Sequence, residues 1–149
     1  MAESRAQRMK IVLLVAKRHE DEVAQRLGGL NEQLSVESAQ LQALEEYQEQ
    51  YLQAQGAVRA GVRVDELINY TNFIGRLGEA CRDQSTKIER LQRQLGMAQQ
   101  EWREKHHKRK NLEDLIARLE RDETVQIDRR LQKELDELSA QQLLRNQQE

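Results

Sequence analysis

The sequence contains no proline, and only 3% of its residues are aromatic. Without proline, no residue forces an interruption of a long helix. Because bulky apolar side chains are so few, we do not expect a compact globular core. Apolar burial is instead expected along a seam between helices.

Cysteine and long hydrophobic runs are also scarce. The single cysteine, Cys81, excludes an internal disulfide and a cysteine zinc site and fits a reducing compartment. The apolar run IVLLVA is shorter than the roughly 7 to 15 residues of a signal-peptide core and the about 20 residues of a membrane span. We therefore expect a soluble, cytoplasmic protein.

Motifs for catalysis and metal binding are missing. The sequence has no GxxxxGK[ST], HExxH or GxSxG pattern. His106 and His107 are adjacent, so on a helix they point in different directions and cannot share a metal. The acidic cluster HEDE, residues 19–22, is typical of a solvated helix surface. We expect no enzyme activity and no cofactor.

What is abundant is charge of both signs. Charged residues make up 34% of the chain, with a formal net charge of −2, and good helix formers dominate the rest. The basic run REKHHKRK, residues 103–110, follows Trp102 and could bind nucleic acid. Acidic stretches flank the run, which favours a solvated face or an acidic protein partner, and no nucleic-acid partner is expected.

A seven-residue apolar repeat runs along the first half of the chain and predicts a coiled coil. Gly28 and Gly29 fall at outward positions and predict a soft spot in this helix. The d positions are Met9, Ala16, Val23, Leu30, Glu37, Leu44, Tyr51 and Val58. The a positions are Leu13, Glu20, Leu27, Leu34, Leu41, Gln48 and Gln55.

The second half has its own repeat, which slips beyond Leu119, so we expect the following residues to overhang unpaired within the chain. The a positions are Leu67, Ile74, Cys81, Ile88, Leu95, Trp102, Arg109 and Ile116. The d positions are Tyr70, Leu77, Gln84, Leu91, Ala98, Lys105, Leu112 and Leu119.

Between the repeats, residues 56–64 carry Gly56 and Gly61, which favour a turn. Asp65 can then cap the second helix. Because so short a connection joins antiparallel helices, we predict an all-α fold of two long helices in an antiparallel coiled-coil hairpin. The predicted single domain has helix 1 at about 5–57, a turn at about 58–64, helix 2 at about 65–140, and a disordered tail.

The predicted turn carries more apolar side chain than a two-helix seam requires. Tyr47 and Phe73 both occupy g positions, which share one flank of an antiparallel pair and normally carry Glu or Lys. We expect their rings to form an exposed patch near the turn, beside Leu44, Tyr51, Leu77 and Ala80, and such patches mark contact surfaces. The rings could alternatively just broaden a thin core.

At these residues the chain resembles the FliJ family of the bacterial flagellar export apparatus. The matching pieces are YQEQY, LINYTNFIGRLGEA, EWREK, RKNLEDLIARLERDE and QKELDEL. The resemblance implies a hairpin similar to the central stalk of rotary ATPases, which enters the ring of the export ATPase FliI, promotes ring assembly and binds the export gate FlhA. It further implies links to FliH and to export chaperones, at the cytoplasmic face of the inner membrane.

The resemblance also suggests two contact surfaces, an export-gate surface near the turn and an ATPase-ring surface near the chain termini. Two other functions remain open: a generic coiled-coil scaffold or adaptor that self-associates, and a helical arm that binds nucleic acid. The gate-binding residues would be Gln40, Leu44, Tyr47, Tyr51, Phe73, Leu77, Ala80 and Gln84. The candidate ring contacts are Arg118, Arg121, Arg129, Arg130 and Lys133.

Overall fold

The computed structural model describes residues 3–57 and 63–148. Within these ranges the chain forms two α-helices, α1 (Arg5–Ala57) and α2 (Val64–Gln148), and no strand. The predicted all-α hairpin of two long helices is confirmed. Over the same ranges, neither helix has a stretch apolar enough to cross a bilayer.

The start of α1 is fixed by a reciprocal capping box. The backbone N–H of Gln7 donates to Ser4 Oγ at 3.2 Å, and the backbone N–H of Ser4 donates to Gln7 Oε1 at 3.1 Å. Two helix-terminal N–H groups are thereby satisfied. A third, that of Ala6, donates to the carboxylate of Glu123 on α2 at 3.4 Å.

The start of α2 differs from the predicted one. The backbone N–H of Leu67 donates to the Arg63 carbonyl at 3.1 Å, so the helix begins at Val64 and Asp65 lies inside its first turn. Asp65 is therefore not the cap, and it stabilises the helix through the favourable interaction of its charge with the helix dipole. Residues 58–62 of the predicted turn lie outside the described residues.

The end of α2 lies beyond the predicted one. The helix continues to Gln148, whereas the sequence led us to expect an end near residue 140 and a disordered tail. Residues 139–148 contain no glycine or proline and are rich in Gln and Leu, which favour helix. Arg145 in the last turn also complements the helix dipole.

The chain divides into two compact units. The terminal unit comprises Met1–Glu20 and Glu104–Glu149, and the central unit comprises Asp21–Arg103. In each unit a segment of α1 pairs with a segment of α2 that runs the other way. In the terminal unit, for example, Lys10 and Lys17 pair with Glu120 and Glu113 respectively.

Burial in both units follows the predicted seam. Each a or d residue within the described part of α1 is buried or half-buried, and in the described part of α2 the exception is Leu67, which is 47% exposed. A 3.5-residue period therefore identified the paired face of each helix. The buried apolar side chains are Ala6, Ala16 and Ile116 in the terminal unit, and Val23, Ile88, Leu91 and Ala98 in the central unit.

A polar layer interrupts the apolar seam of the terminal unit. The Glu20 carboxylate accepts hydrogen bonds from Arg109 and lies 2.9 Å from Nδ1 of His106, while Arg109 also donates to Glu113 at 2.9 Å. Burial raises the pKa of Glu20. The bonds from His106 and Arg109 lower this pKa by more than burial raises it, so the net pKa lies below the ordinary value of 4.5. The prediction that Glu20 lies on a solvated surface with the rest of HEDE is wrong, because its a position faces α2.

A second polar layer lies in the seam of the central unit. The side-chain amide of Gln84 donates to both the backbone carbonyl and the carboxylate of Glu37, and Lys87 Nζ lies 2.9 Å from the other carboxylate oxygen. Glu37 is 9% exposed and Gln84 is 8% exposed. The bonds from Gln84 and then Lys87 hold the pKa of Glu37 below its usual range.

Candidate protein-interaction site

Four aromatic rings lie together in the central unit and form what we call the aromatic cluster. Tyr51 is at its centre, with ring centroids 5.7 Å from Tyr47, 5.4 Å from Tyr70 and 4.8 Å from Phe73. Two of the rings come from each helix. The tilted arrangements of Tyr51 with Tyr70 and Phe73 are favoured by the charge distribution of aromatic rings.

Local sequence positions these rings. Tyr47 and Tyr51 are four residues apart on α1, and Tyr70 and Phe73 are three apart on α2, so each pair occupies one side of its helix. Tyr51 and Tyr70 fill d positions of the seam and are half-buried, whereas Tyr47 is 55% and Phe73 39% exposed. The cluster therefore has a packed inner half and an exposed outer half.

Tyr47 and Phe73, which the g positions predict on one flank, form the exposed half of the cluster. Both rings lie against the same Tyr51 ring, one from each helix. The flank carries aromatic side chains in place of the usual Glu or Lys. An exposed apolar surface of this kind is suited to binding another protein.

The remaining predicted gate-binding residues occupy different environments. Gln40 is exposed, Leu44, Leu77 and Ala80 are half-buried, and Gln84 is buried. The side chain of Gln84 is held by Glu37 within the seam, because its d position points toward α1. The structure thus brings Tyr47, Tyr51 and Phe73 together but does not place Gln84 on the exposed surface with them.

Tyr70 is a member of the cluster that the predicted site did not include. Its d position predicts a seam residue, but its ring also contacts Tyr51 and lines an open cavity at the surface. The spacing of three residues between Tyr70 and Phe73 was the available signal. The residues that line the cavity are Tyr51, Glu66, Asn69, Tyr70 and Phe73.

The predicted ring-contact set lies on α2 in the terminal unit. Its members are exposed, and among the described residues none of them forms an ion pair within 4.0 Å. Their charges are accessible to a partner with an acidic surface. The set comprises Arg118, Arg121, Arg129, Arg130 and Lys133.

The basic run at residues 103–110 is not a uniform exposed surface. Its members His106 and Arg109 are half-buried and contact Glu20, and Arg103 donates to Gln100. The guanidinium of Arg109 is already neutralised by two carboxylates, which raises its pKa. A continuous row of cations available to phosphates is therefore not formed by this stretch.

The terminal unit exposes further apolar side chains on both of its helices. On α1, Ile11 and Leu14 are 60% and 64% exposed. On α2, each described residue of the C-terminal segment, residues 124–148, is exposed, including Ile127, Leu131 and Leu138. The predicted overhang covers this segment, whereas within the IVLLVA run Leu13 is half-buried and Ala16 is buried.

These features define the class of protein: a coiled-coil hairpin with apolar and charged surfaces suited to binding other proteins. The family model described as "Flagellar FliJ protein" matches residues 5–148, and the chain belongs to the FliJ family. Members of this family are non-catalytic components of flagellar protein export, which places the chain in that process. Searches of curated proteins and of solved structures returned no significant match.

Proposed function

We propose that this protein is a non-enzymatic stalk of the flagellar export apparatus that connects the export ATPase to the export gate. In this role it promotes assembly and activity of the FliI ring and binds the gate protein FlhA. The protein is also linked to FliH and escorts export chaperones. The place of action is the cytoplasmic face of the inner membrane, at the flagellar base.

The observation that carries the gate contact is the aromatic cluster. Tyr47 and Phe73 are largely exposed, and both rings pack against Tyr51, which lies in the seam. A rigid aromatic pair presented by two packed helices loses little conformational entropy on binding. Aromatic side chains of this kind dominate the binding energy of many protein interfaces.

The ring contact is proposed for the terminal unit. The five exposed cations of the predicted ring-contact set and the exposed aliphatic side chains on both helices offer charge and apolar area to a partner. The C-terminal segment supplies a long helical surface that no other described residue covers. A ring channel lined by acidic and apolar groups would complement such a surface.

The gate contact is tested by comparing binding of purified FlhA cytoplasmic domain to the parent protein and to Tyr47→Ala/Phe73→Ala. We expect at least a tenfold loss of affinity for the double variant, because two exposed anchors are removed. Circular dichroism should show unchanged helicity, since Tyr51 and Tyr70 remain in the seam.

Val36→Ala is the matched control, because Val36 is 59% exposed on the same helix and lies outside the aromatic cluster. Its affinity for FlhA should equal that of the parent. Equal binding by the double variant and the parent would refute the gate contact. Loss of helicity in the double variant would instead show that the two rings are part of the core.

The ring contact is tested by titrating the protein into FliI while ATP turnover and hexamer formation are measured. We expect stimulation by the parent and a reduced effect of a variant with Arg118, Arg121 and Arg129 changed to Gln. The charge-matched control changes Arg82, Arg90 and Arg93, exposed in the central unit, to Gln. No stimulation by the parent would contradict the proposed coupling to the ATPase.

A further inference from the structure

The buried polar layer of the central unit stands apart from the apolar seam around it. Glu37 and Gln84 both occupy d positions, where coiled coils normally place leucine. Yet both are buried, and their side chains bond to each other across the two helices. The amide of Gln84 also reaches the backbone carbonyl of Glu37 at 2.9 Å, so the pairing involves main chain and side chain.

We propose that Glu37 and Gln84 are positioning residues that fix the register of the hairpin and thereby assemble the aromatic cluster. A coiled coil can slip by one heptad and keep its apolar stripe in contact, so the stripe alone does not select one alignment. A buried polar pair selects an alignment, because its groups are satisfied in that alignment and lose their partners in the others.

The residues one heptad away from Glu37 and Gln84 offer no alternative polar partner. On α1 the d positions flanking Glu37 are Leu30 and Leu44, and on α2 those flanking Gln84 are Leu77 and Leu91. A slip of seven residues in either direction therefore sets Glu37 and Gln84 opposite leucine side chains. The carboxylate and the amide would then stay in the seam without each other.

The layer of the terminal unit has the same design. Glu20 and Arg109 occupy a positions, and their heptad neighbours are Leu13 and Leu27 on α1 and Trp102 and Ile116 on α2. A slip of one heptad would set Glu20 and Arg109 opposite apolar side chains in the same way.

The register determines which rings meet. In the observed alignment Tyr51 contacts Tyr70 and Phe73, and a slip of one heptad would carry α2 past α1 by about 10 Å at ~1.5 Å per residue. Tyr51 would then lose both partners. The proposal rests on this geometry alone and does not depend on which protein binds the cluster.

The native cysteine provides a direct reporter of register. Cys81 Sγ lies 3.8 Å from Oε1 of Gln48, so Gln48→Cys places two thiols close together in the observed alignment. Leu41→Cys and Gln55→Cys place the second thiol one heptad away in either direction. Dibromobimane, which links thiols only a few ångströms apart, is added to dilute protein, and the intramolecular product is measured on a denaturing gel.

In the parent background we expect efficient linkage for Gln48→Cys and at least tenfold less for the two off-register positions. The test background replaces both layers with apolar residues: Glu37→Leu, Gln84→Leu, Glu20→Leu and Arg109→Leu. There we expect off-register linkage to rise at least fivefold. The midpoint of thermal unfolding should stay equal or increase, because apolar replacements of buried polar pairs are often neutral or stabilising.

Leu91→Met is the control background, because it changes a buried d residue while keeping volume and both polar layers. Its linkage pattern should match that of the parent. If Gln48→Cys remains the one variant that links efficiently to Cys81 in the test background, the proposal is overturned and the register is assigned to the connection between the helices. A lower melting temperature with unchanged linkage would also overturn it, because the layers would then only stabilise the pair.

Discussion

Glu123 of α2 accepts a hydrogen bond from the backbone N–H of Ala6, in the first turn of α1, with 3.4 Å between nitrogen and oxygen. The first turn of α1 contains no acidic residue of its own. The negative charge that stabilises a helix N-terminus is therefore supplied by the other helix. Together with the Ser4–Gln7 capping box, it satisfies the first N–H groups of α1.

Glu123→Gln should loosen this end of α1. Removing the charge should cost about 0.5 kcal/mol, the usual size of a charge–dipole interaction at a helix end. Hydrogen exchange of the Ala6 amide should accelerate by a factor of about 2, which corresponds to that free energy. Asp122→Asn, an equal change of charge at the exposed neighbouring residue, should leave the exchange rate unchanged.

The polar layers predict how stability depends on pH. The folded-state pKa values of Glu20 and Glu37 lie below the ordinary 4.5, because hydrogen bonds and cations favour their ionised forms. Their contribution is fully present above about pH 4.5 and is lost as the pH falls through the lower folded-state values. Urea unfolding at a series of acidic pH values should show this loss.

Glu37→Gln isolates one of these groups. The amide cannot titrate, so the stability of this variant should fall less steeply than that of the parent below about pH 4.5. Glu32→Gln, on the exposed side of the same helix, is the matched control. Identical slopes for Glu37→Gln and the parent would show that Glu37 does not contribute to the acid sensitivity.

The two tyrosines of α1 should differ in what they contribute. Tyr51→Ala removes the half-buried ring that three others contact and should lower stability by about 2 to 3 kcal/mol. Tyr47→Ala removes a ring that is 55% exposed and should cost less than about 1 kcal/mol. Urea unfolding of both variants measures the difference, and equal costs would show that Tyr47 belongs to the core.

Glycines inside the helices offer stabilising substitutions. A Cβ added at Gly28 or Gly29 meets no atom within 4 Å, so each change to alanine should raise stability by about 1 kcal/mol. A Cβ at Gly78 would lie 3.4 Å from Nε2 of Gln48, at the ordinary limit of contact, so Gly78→Ala should gain less. Thermal unfolding of the three variants provides the ranking.

Sedimentation distinguishes the hairpin from the alternative of a self-associating scaffold. Because the seam is filled by the chain's own two helices, the protein should sediment as a 17.5 kDa monomer at low concentration. An open helix would need a second chain to cover its apolar stripe and would sediment as a dimer. A dimer that persists on dilution would contradict the hairpin.

Much of the fold was predictable because the apolar period is a local property of the sequence. The 3.5-residue repeat identified the seam from Met9 to Leu119, and the absence of proline allowed both helices to be long. Helix ends were predicted less well. The start of α2 lies at Val64, one residue before Asp65, and its end at Gln148 lies in a segment whose described residues are all exposed, so no packing pattern marks it. The Ser4–Gln7 box follows a local Ser-x-x-Gln motif, which indicates a helix start.

The site was only partly predictable because it depends on how the helices align. The sequence pattern placed Tyr47, Tyr51 and Phe73 together, but it could not reveal that Tyr70 joins them. The same limit applies to Gln84, whose d position predicted burial but not its bond to Glu37. Pairings across the seam follow from the register, and the apolar stripe by itself leaves the register open.

The exposed C-terminal segment can accept many substitutions without loss of the fold. Since each described side chain from residue 124 to 148 is exposed, the free energy of folding owes almost nothing to their identity beyond helix propensity. Substitutions in this segment are constrained mainly by the protein that binds it and very little by folding. This stretch can consequently adapt to a new binding companion while the paired helices keep their architecture intact.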